Sequence, residues 1–497
     1  MNGNRLLRLH WVFLSLIAGA VTTLAFAPFD LSGLVFLTLA VAFYFWNKLP
    51  LKQATLSAWL FGLGLQSTGV SWIYHSLHTH GSAPAFFAGF LIFLLCCYLS
   101  IYTALTVYTV NRFLPDRPAL RFMVFYPASW VLFEWLQGYV MTGFSWMQLG
   151  YTQIDFPLAG FAPVFGNHAV GGFIAICAGA LVLLATQYRQ LSFKRGLSLV
   201  ISVVLLWFTG SLLKTIDWTE KAGDPLKVSV IQGNIKQSDK WKSYMKQPTL
   251  DLYRDLTLAQ QDVDLIVWPE TAVPDYRHRV APYIQQLSAE MKLRKADLLL
   301  GIFVKNDEKR SLNSVLNVNG SIYNKRHLVP LGEFIPLRFL IEFFNRFVKI
   351  PMSDIASGDE GQPLLTVAGV PLGLSICFEE AFARDVIKDL PVARLLVNVS
   401  NDAWFEDSHE PHQHHAIARM RALETGRYMI RSTNTGISSL IGPHGEVIKQ
   451  LPQFETAVLN GEVQPLSGAT PFVRWGDWLI VAICSLLLLA FAKAKRQ

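Results

Sequence analysis

The chain has 497 residues, 52% of them hydrophobic and only 16% charged, with a formal net charge of +7 and a mean hydropathy of +0.33. A soluble globular protein carries about 25% charged residues, so this composition excludes a wholly water-solvated chain, and the length leaves room for more than one domain. The positive balance does not indicate nucleic acid, because the basic residues of the first half sit in short clusters between apolar runs and no basic stripe with interleaved aromatics is present.

A helix needs roughly 20 apolar residues to cross hydrocarbon. Eight runs approach that length: 9–27, 31–47, 54–74, 84–110, 119–138, 167–187, 196–213 and 474–492. Ionisable residues are nearly absent inside them; Glu134, His168 and Asp477 are the main exceptions. Such residues are costly in lipid and are functional candidates by default, although Asp477 also suits a helix end that snorkels to the interface.

Lys and Arg in the short loops set sidedness. One set of flanks carries Arg5, Arg8, Lys48, Lys52, Arg112, Arg117, Arg121, Arg189, Lys194, Arg195, Lys493, Lys495 and Arg496. The alternate loops, near 28–30, 75–83 and 139–166, carry none. Both termini are therefore expected in the cytoplasm, with 214–473 outside it. This divides the chain into a membrane domain of seven helices (1–213), an extracytoplasmic domain (214–473), and a final span with a short tail (474–497). Arg5, Arg8, the first apolar run and Ala25-Phe26-Ala27 imitate a signal peptide; retention is expected, because Pro28 follows the small-residue site.

The exposed region alternates short β-rich runs (226–232, 264–268, 297–304, 370–377, 395–399) with helical stretches (250–261, 280–295, 411–428). Asn319-Gly320 joins 314–318 to 321–325 as a hairpin, and Pro443-His444-Gly445 suggests another. The pattern implies a layered α/β domain.

Four of the five cysteines lie in apolar runs, and Cys377 alone lies in the charged region. It has no partner there for a disulfide, and its ordinary reading is a small buried hydrophobe. Yet three polar residues stand at strand ends, where α/β folds gather active sites. Glu270 follows Leu265-Ile266-Val267-Trp268-Pro269, Lys325 ends Ser321-Ile322-Tyr323-Asn324, and Cys377 ends Gly373-Leu374-Ser375-Ile376. A desolvated carboxylate can deprotonate a thiol, and an ammonium can stabilise thiolate and oxyanion. A buried Cys, a capping Glu and a surface Lys remain open readings, since sequence cannot supply the geometry.

Longer blocks carry a resemblance. Trp268-Pro269-Glu270, Tyr323-Asn324-Lys325-Arg326-His327-Leu328-Val329-Pro330-Leu331-Gly332-Glu333 and Ser375-Ile376-Cys377-Phe378-Glu379 resemble the three signature blocks of the nitrilase superfamily, in that order. Gln232-Gly233-Asn234-Ile235, Asn398-Val399-Ser400-Asn401-Asp402-Ala403-Trp404-Phe405 and Ala418-Arg419-Met420-Arg421-Ala422-Leu423-Glu424 resemble the apolipoprotein N-acyltransferase family in particular. The match spans nearly the whole chain. It implies an αββα sandwich joined to seven helices and one closing helix, in the bacterial inner membrane with the sandwich on the periplasmic side.

The resemblance also implies chemistry. A phospholipid donates an acyl chain to Cys377, and the α-amino group of a diacylglyceryl-cysteine at an apolipoprotein N-terminus accepts it, with no cofactor. Cys377 is then the nucleophile, Glu270 the general base and Lys325 the oxyanion stabiliser. Glu333 is a second carboxylate holding Lys325, while Trp241 and Glu379 match further activity-linked positions. The sequence departs from the family at Phe378, where relatives often carry Tyr, and at Phe144-Ser145-Trp146, where Phe-Pro-Trp is more usual.

Other signals are weaker. His409, His412, His414 and His415 crowd seven residues but lack the ligand spacing of a zinc motif, so no metal is expected. His75, His78 and His80 read as interfacial polar residues of a short outer loop. Glu134 with Trp130 and Trp135 suits either a lipid headgroup contact or helix packing.

The stretch 337–352 is apolar yet holds Arg338, Arg346 and Lys349. A core helix and an interfacial arm both remain open; the arm is the expectation, with Phe343 and Phe344, and Trp146 elsewhere, as candidate substrate contacts. A membrane-anchored hydrolase and a transporter with an exposed appendage are the competing functions. The hydrolase would share the catalytic residues, and the transporter would require paired buried charges across several spans.

Overall fold

The computed structural model describes residues 3–187, 192–330, 332–334 and 355–496. The chain forms two compact units, one made of 1–74, 85–216 and 474–497, the other of 75–84 and 217–473.

The first unit is helical. Its helices are α1 (Gly3–Thr22), α2 (Leu34–Lys48), α3 (Leu51–Gly69), α4 (Ala85–Phe113), α5 (Tyr126–Gln137), α6 (Asn167–Gln187) and α7 (Phe193–Lys214), with a closing helix Trp478–Arg496. Each apolar run thus contains a helix. Three segments, Ala85–Phe113, Asn167–Thr186 and Phe193–Lys214, are long and apolar enough to cross a membrane, and His10–Ala25, Leu34–Lys48 and Trp478–Lys493 are shorter apolar helices.

Small residues let these helices touch, as expected where lipid supplies no hydrophobic drive. A Cβ on Gly19 would sit 1.9 Å from the Phe61 carbonyl oxygen, and one on Gly64 would sit 2.1 Å from that of Leu16, so α1 and α3 meet backbone to backbone. Ser15 and Ser57 share a buried hydroxyl hydrogen bond of 2.6 Å at the same crossing.

Asp477 does not snorkel. It is buried and pairs with His168 Nδ1 at 2.8 Å, joining the start of α6 to the closing helix. Glu134 Oε1 accepts from Trp130 Nε1 at 3.1 Å and from the Leu149 amide at 3.0 Å, which favours the packing role. Trp146 is also buried, with Trp72 and Phe144 against its ring at 5.4 and 6.3 Å.

The second unit contains two six-stranded sheets. The strands, in chain order, are β1 (Leu226–Gln232), β2 (Leu265–Val267), β3 (Asp297–Lys305), β4 (Ser311–Asn317), β5 (Ile322–Asn324), β6 (Thr366–Val367), β7 (Val370–Ile376), β8 (Leu395–Ser400), β9 (Met429–Thr433), β10 (Ser439–Ile441), β11 (Val447–Gln450) and β12 (Ala457–Val463). One sheet runs β12-β1-β2-β3-β4-β5 and the other β6-β7-β8-β9-β10-β11. Read in those orders, both show the same succession: one antiparallel pair, two parallel pairs, two antiparallel pairs.

Alternation along the strands builds the layers. Val228, Val230, Leu265 and Val267 meet Leu372, Leu374, Val397 and Val399 in one cluster between the sheets. The opposite face of the first sheet, with Ile231, Ile266, Leu298 and Leu300, packs on Leu250, Tyr253, Ile284 and Leu287 of helices Ser243–Leu258 and Ala281–Arg294. The second sheet covers its outer face with Ala418 and Ala422 of helix Glu410–Thr425, against Leu396 and Met429. Full burial of each such Val or Leu stabilises by about 1.5–3 kcal/mol. The result is a helix–sheet–sheet–helix sandwich.

The hairpin signals both appear. Asn319 and Gly320 lie between β4 and β5, while Gly445 turns at φ +77° between β10 and β11. The stretch 337–352, including Phe343 and Phe344, lies outside the described residues.

Candidate active site

Glu270 leaves the end of β2 in a turn fixed at both sides. The Trp268 amide donates to the Leu299 carbonyl at 2.8 Å, and Thr271 sits at φ +48°. A Cβ on Gly301 would lie 2.3 Å from the Thr271 nitrogen and 2.4 Å from the Pro269 oxygen, so β3 can pass under this turn only because residue 301 has no side chain.

Lys325 follows β5 and is 1% exposed. Its amide donates to the Asn313 carbonyl at 2.8 Å. Its Nζ lies 2.9 Å from Glu333 Oε2 and 3.8 Å from Glu270 Oε1. Asn313 completes the arrangement by donating from Nδ2 to Glu270 Oε1 at 2.7 Å and to Glu333 Oε1 at 3.1 Å. Burial works against the Lys325 ammonium, but the Glu333 and Glu270 carboxylates outweigh it and raise its pKa.

Cys377 directly follows β7, opening the helical turn Cys377–Ala381, at φ +52°, a conformation rare outside glycine. Such strain is found where a fold must present a reactive group. Glu379 pins this elbow to the lysine block. Its Oε2 accepts from the Ile376 amide at 2.7 Å and the Tyr323 hydroxyl at 3.0 Å, and its Oε1 accepts from the amides of Arg326 and His327 at 2.6 and 3.0 Å. Glu379 therefore acts on the shape of the site. Burial pushes the Cys377 thiol up to about 12, Glu270 adding to the effect and Lys325 opposing it. The thiol is the resting form, and a neighbouring carboxylate can take its proton as a bond to sulfur forms.

Behind the elbow lies a buried ionic cluster. His414 Nε2 is 3.3 Å from the Cys377 carbonyl oxygen and 2.9 Å from Glu380 Oε1. Its Nδ1 lies 3.2 Å from Glu410 Oε1 and 3.5 Å from Asp402 Oδ1. Arg431 pairs with both Glu380 and Asp402. Burial disfavours the Asp402 carboxylate, yet Arg431 and His414 hold it at about 2, while burial and Asp402 push Glu410 up to about 7. Asp402, Glu410 and His414 bring ligand-type atoms within 4.8 Å of one another, but the Arg431 guanidinium already supplies a cation to Asp402.

Residues 18–180 match the family described as apolipoprotein N-acyltransferase N-terminal domain, and residues 227–471 match carbon-nitrogen hydrolase. An apolipoprotein N-acyltransferase from Methylococcus capsulatus is 39% identical over 491 residues, covering 98% of this chain and 97% of the relative. Another from Pseudomonas paraeruginosa is 39% identical over 486 residues, covering 96% and 94%. The chain belongs to the apolipoprotein N-acyltransferase family. Among solved structures, an amidase of the nitrilase superfamily from Nesterenkonia is 16% identical, covering 51% of this chain and 94% of the amidase, with a TM-score of 0.38.

In this member of the apolipoprotein N-acyltransferase family, Glu270, Lys325, Glu333 and Glu379 are all buried, and Cys377 is partly so. Trp241 stands apart on the wall of a cavity of about 640 Å³, 41% exposed, with Phe303 and Tyr276 nearby. Sequence reasoning missed Asn313, Lys240 and Arg431. Each is a polar residue inside an element whose pattern accounts for it as an ordinary member. Gly301, in the middle of Asp297–Lys305, did carry a signal: an isolated strand glycine marks a close backbone approach.

His80, read as interfacial, pairs with Glu406 at 3.3 Å and stacks edge-on against Trp404 within the second unit. His415 reaches Ser439 Oγ at 3.0 Å.

Proposed function

We propose that this acyltransferase moves an acyl chain from a phospholipid, through a thioester on Cys377, to the α-amino group of the diacylglyceryl-cysteine at the N-terminus of an apolipoprotein. The observation that carries the reading is the meeting of Glu270, Lys325 and Glu333 in one buried hydrogen-bonded set, with the Glu270 and Lys325 charges bearing on the Cys377 thiol.

In the first half-reaction Cys377 Sγ attacks the donor's ester carbonyl carbon and its proton passes to Glu270. The oxygen gains negative charge, which the Lys325 ammonium stabilises. The carbon–oxygen ester bond then breaks, and lysophospholipid leaves with the proton from Glu270. In the second, the acceptor amine attacks the thioester carbonyl, gives a proton to Glu270, and forms an amide as the carbon–sulfur bond breaks. The departing thiolate takes that proton back. Asn313 and Glu333 keep base and ammonium apart at a fixed spacing throughout.

Eight helices spanning the bacterial inner membrane, with both termini cytoplasmic and the sandwich periplasmic, complete the proposal. The loop charge pattern supports this sidedness. So does the membership of 75–84 in the second unit, because those residues form one of the loops free of Lys and Arg.

A hydrolase would use the same residues with water as acceptor. The helical unit argues for lipid-borne substrates, since one helix suffices for anchoring. Supplying phospholipid alone separates the two: a transferase should release about one lysophospholipid per enzyme and stop as acyl-enzyme. Continuous turnover without an amine acceptor would favour the hydrolase.

A further inference from the structure

The turn bearing Glu270 is held in a shape that its own residues resist. Thr271 is β-branched and sits at φ +48°, a conformation that a side chain of that kind rarely adopts. Gly301 supports the turn from one side by its lack of a side chain. A second support comes from Lys240, at the end of the helical turn Gln237–Lys240. Lys240 is 2% exposed. Its Nζ donates to Thr271 Oγ1 at 2.6 Å and to the Glu270 carbonyl oxygen at 3.2 Å.

This lysine is placed unlike its neighbours. Lys242 and Lys246 pair at the surface with Asp239 and Asp275. Lys240 has no carboxylate within ion-pair distance among the described residues; the two hydrogen bonds of its Nζ both go to the turn. Filling the space alone would be cheaper with an apolar chain, because a buried amine loses its hydration. What the amine adds is a two-point hold on the strained backbone behind the carboxylate.

We infer that Lys240 is a positioning residue for acyl transfer, clamping the Glu270–Thr271 turn so that the carboxylate stays seated on Asn313 and beside Lys325. This rests on Glu270 being the base. Since that base serves both half-reactions, loosening the clamp slows loading and transfer alike. Lys240 also borders the cavity with Trp241 and Tyr276, so direct contact with substrate is the rival role. The two differ in kinetics. A clamp changes the rate at saturation, whereas a substrate contact changes the concentration needed to saturate.

The test uses the purified full-length chain in detergent, with single-turnover loading from phospholipid followed by transfer to a diacylglyceryl peptide. Lys240→Met should slow both steps by the same factor, roughly ten- to hundredfold as for a misplaced catalytic group, with half-saturation by phospholipid unchanged. Lys240→Gln, which keeps a donor, should recover part of the rate. Thr271→Val should slow loading on its own and add little to Lys240→Met, because both remove the same interaction. It also carries the test if Lys240→Met fails to fold. Unchanged rates in the folded variants, a rise in half-saturation alone, or a loss confined to one half-reaction would overturn the clamp. Cys377→Ala is the control: if it too acquires the acyl chain, the reading of the site fails instead.

Discussion

At Cys377, burial and the Glu270 carboxylate both oppose ionisation, and Lys325 only partly offsets them. The sign of this shift has a consequence for the resting enzyme. A thiol raised to about 12 stays protonated at neutral pH, unlike reactive cysteines whose surroundings favour thiolate. The ultraviolet thiolate absorbance lost on Cys377→Ser should therefore be nil near neutrality and grow only as the solution becomes strongly alkaline. A titration complete below about pH 9, closer to a free thiol, would mean that the enzyme rests as thiolate and needs no base for attack. The three polar residues that meet here were legible because each ends an apolar strand and sits in a recognisable local block. Asn313 was not, although it joins Glu270 to Glu333. In Ser311–Asn317 polar residues, Asn313 and Ser314 among them, are interspersed with apolar ones without a strict alternation, so an inward asparagine looks like an outward one. Lys240 was hidden for a related reason: Gln237-Ser238-Asp239-Lys240 reads as a solvated turn.

Among elements, β3 shows how packing limits sequence. Gly301→Ala would drive a methyl group into main-chain atoms of the Glu270 turn, at 2.3, 2.4 and 2.7 Å. Backbone cannot step aside as a flexible side chain can. The substitution should destabilise the second unit by about 1–3 kcal/mol, as overpacking does, and should depress acyl loading beyond the loss of folded protein. Thermal denaturation and single-turnover loading measure the two effects; an unchanged melting temperature with full loading would show that the turn is not wedged there. The strands β1, β2, β3, β7 and β8 were readable because burial on both faces leaves them rich in Val, Ile and Leu. The strands β9 and β12 were not. The first, Met429–Thr433, carries Arg431, which is buried only because Glu380 and Asp402 meet it. The second is an edge strand with mixed exposure, and edges carry weak hydrophobic pattern.

For the whole molecule, composition and charge placement gave the division into an apolar half and a charged half, and every apolar run contains a helix. What they could not give was the attachment of 75–84 to the second unit, since a contact such as His80 to Glu406 joins residues 326 positions apart. The proposed topology makes a paired prediction in a background without reactive native cysteines. Asp407→Cys should be labelled by an impermeant thiol reagent in cells stripped of their outer barrier, and Lys52→Cys should be shielded. The reverse pattern would place the chemistry in the cytoplasm.

The central claim, an acyl chain carried on Cys377, is tested most directly by mass. The purified chain is exposed to phospholipid, its intact mass is measured, and the adduct is mapped on peptides. The account predicts a gain of one acyl group, located on Cys377, absent in Cys377→Ala and discharged by an acceptor amine. An acyl group on any other residue, or on the alanine variant, would contradict it.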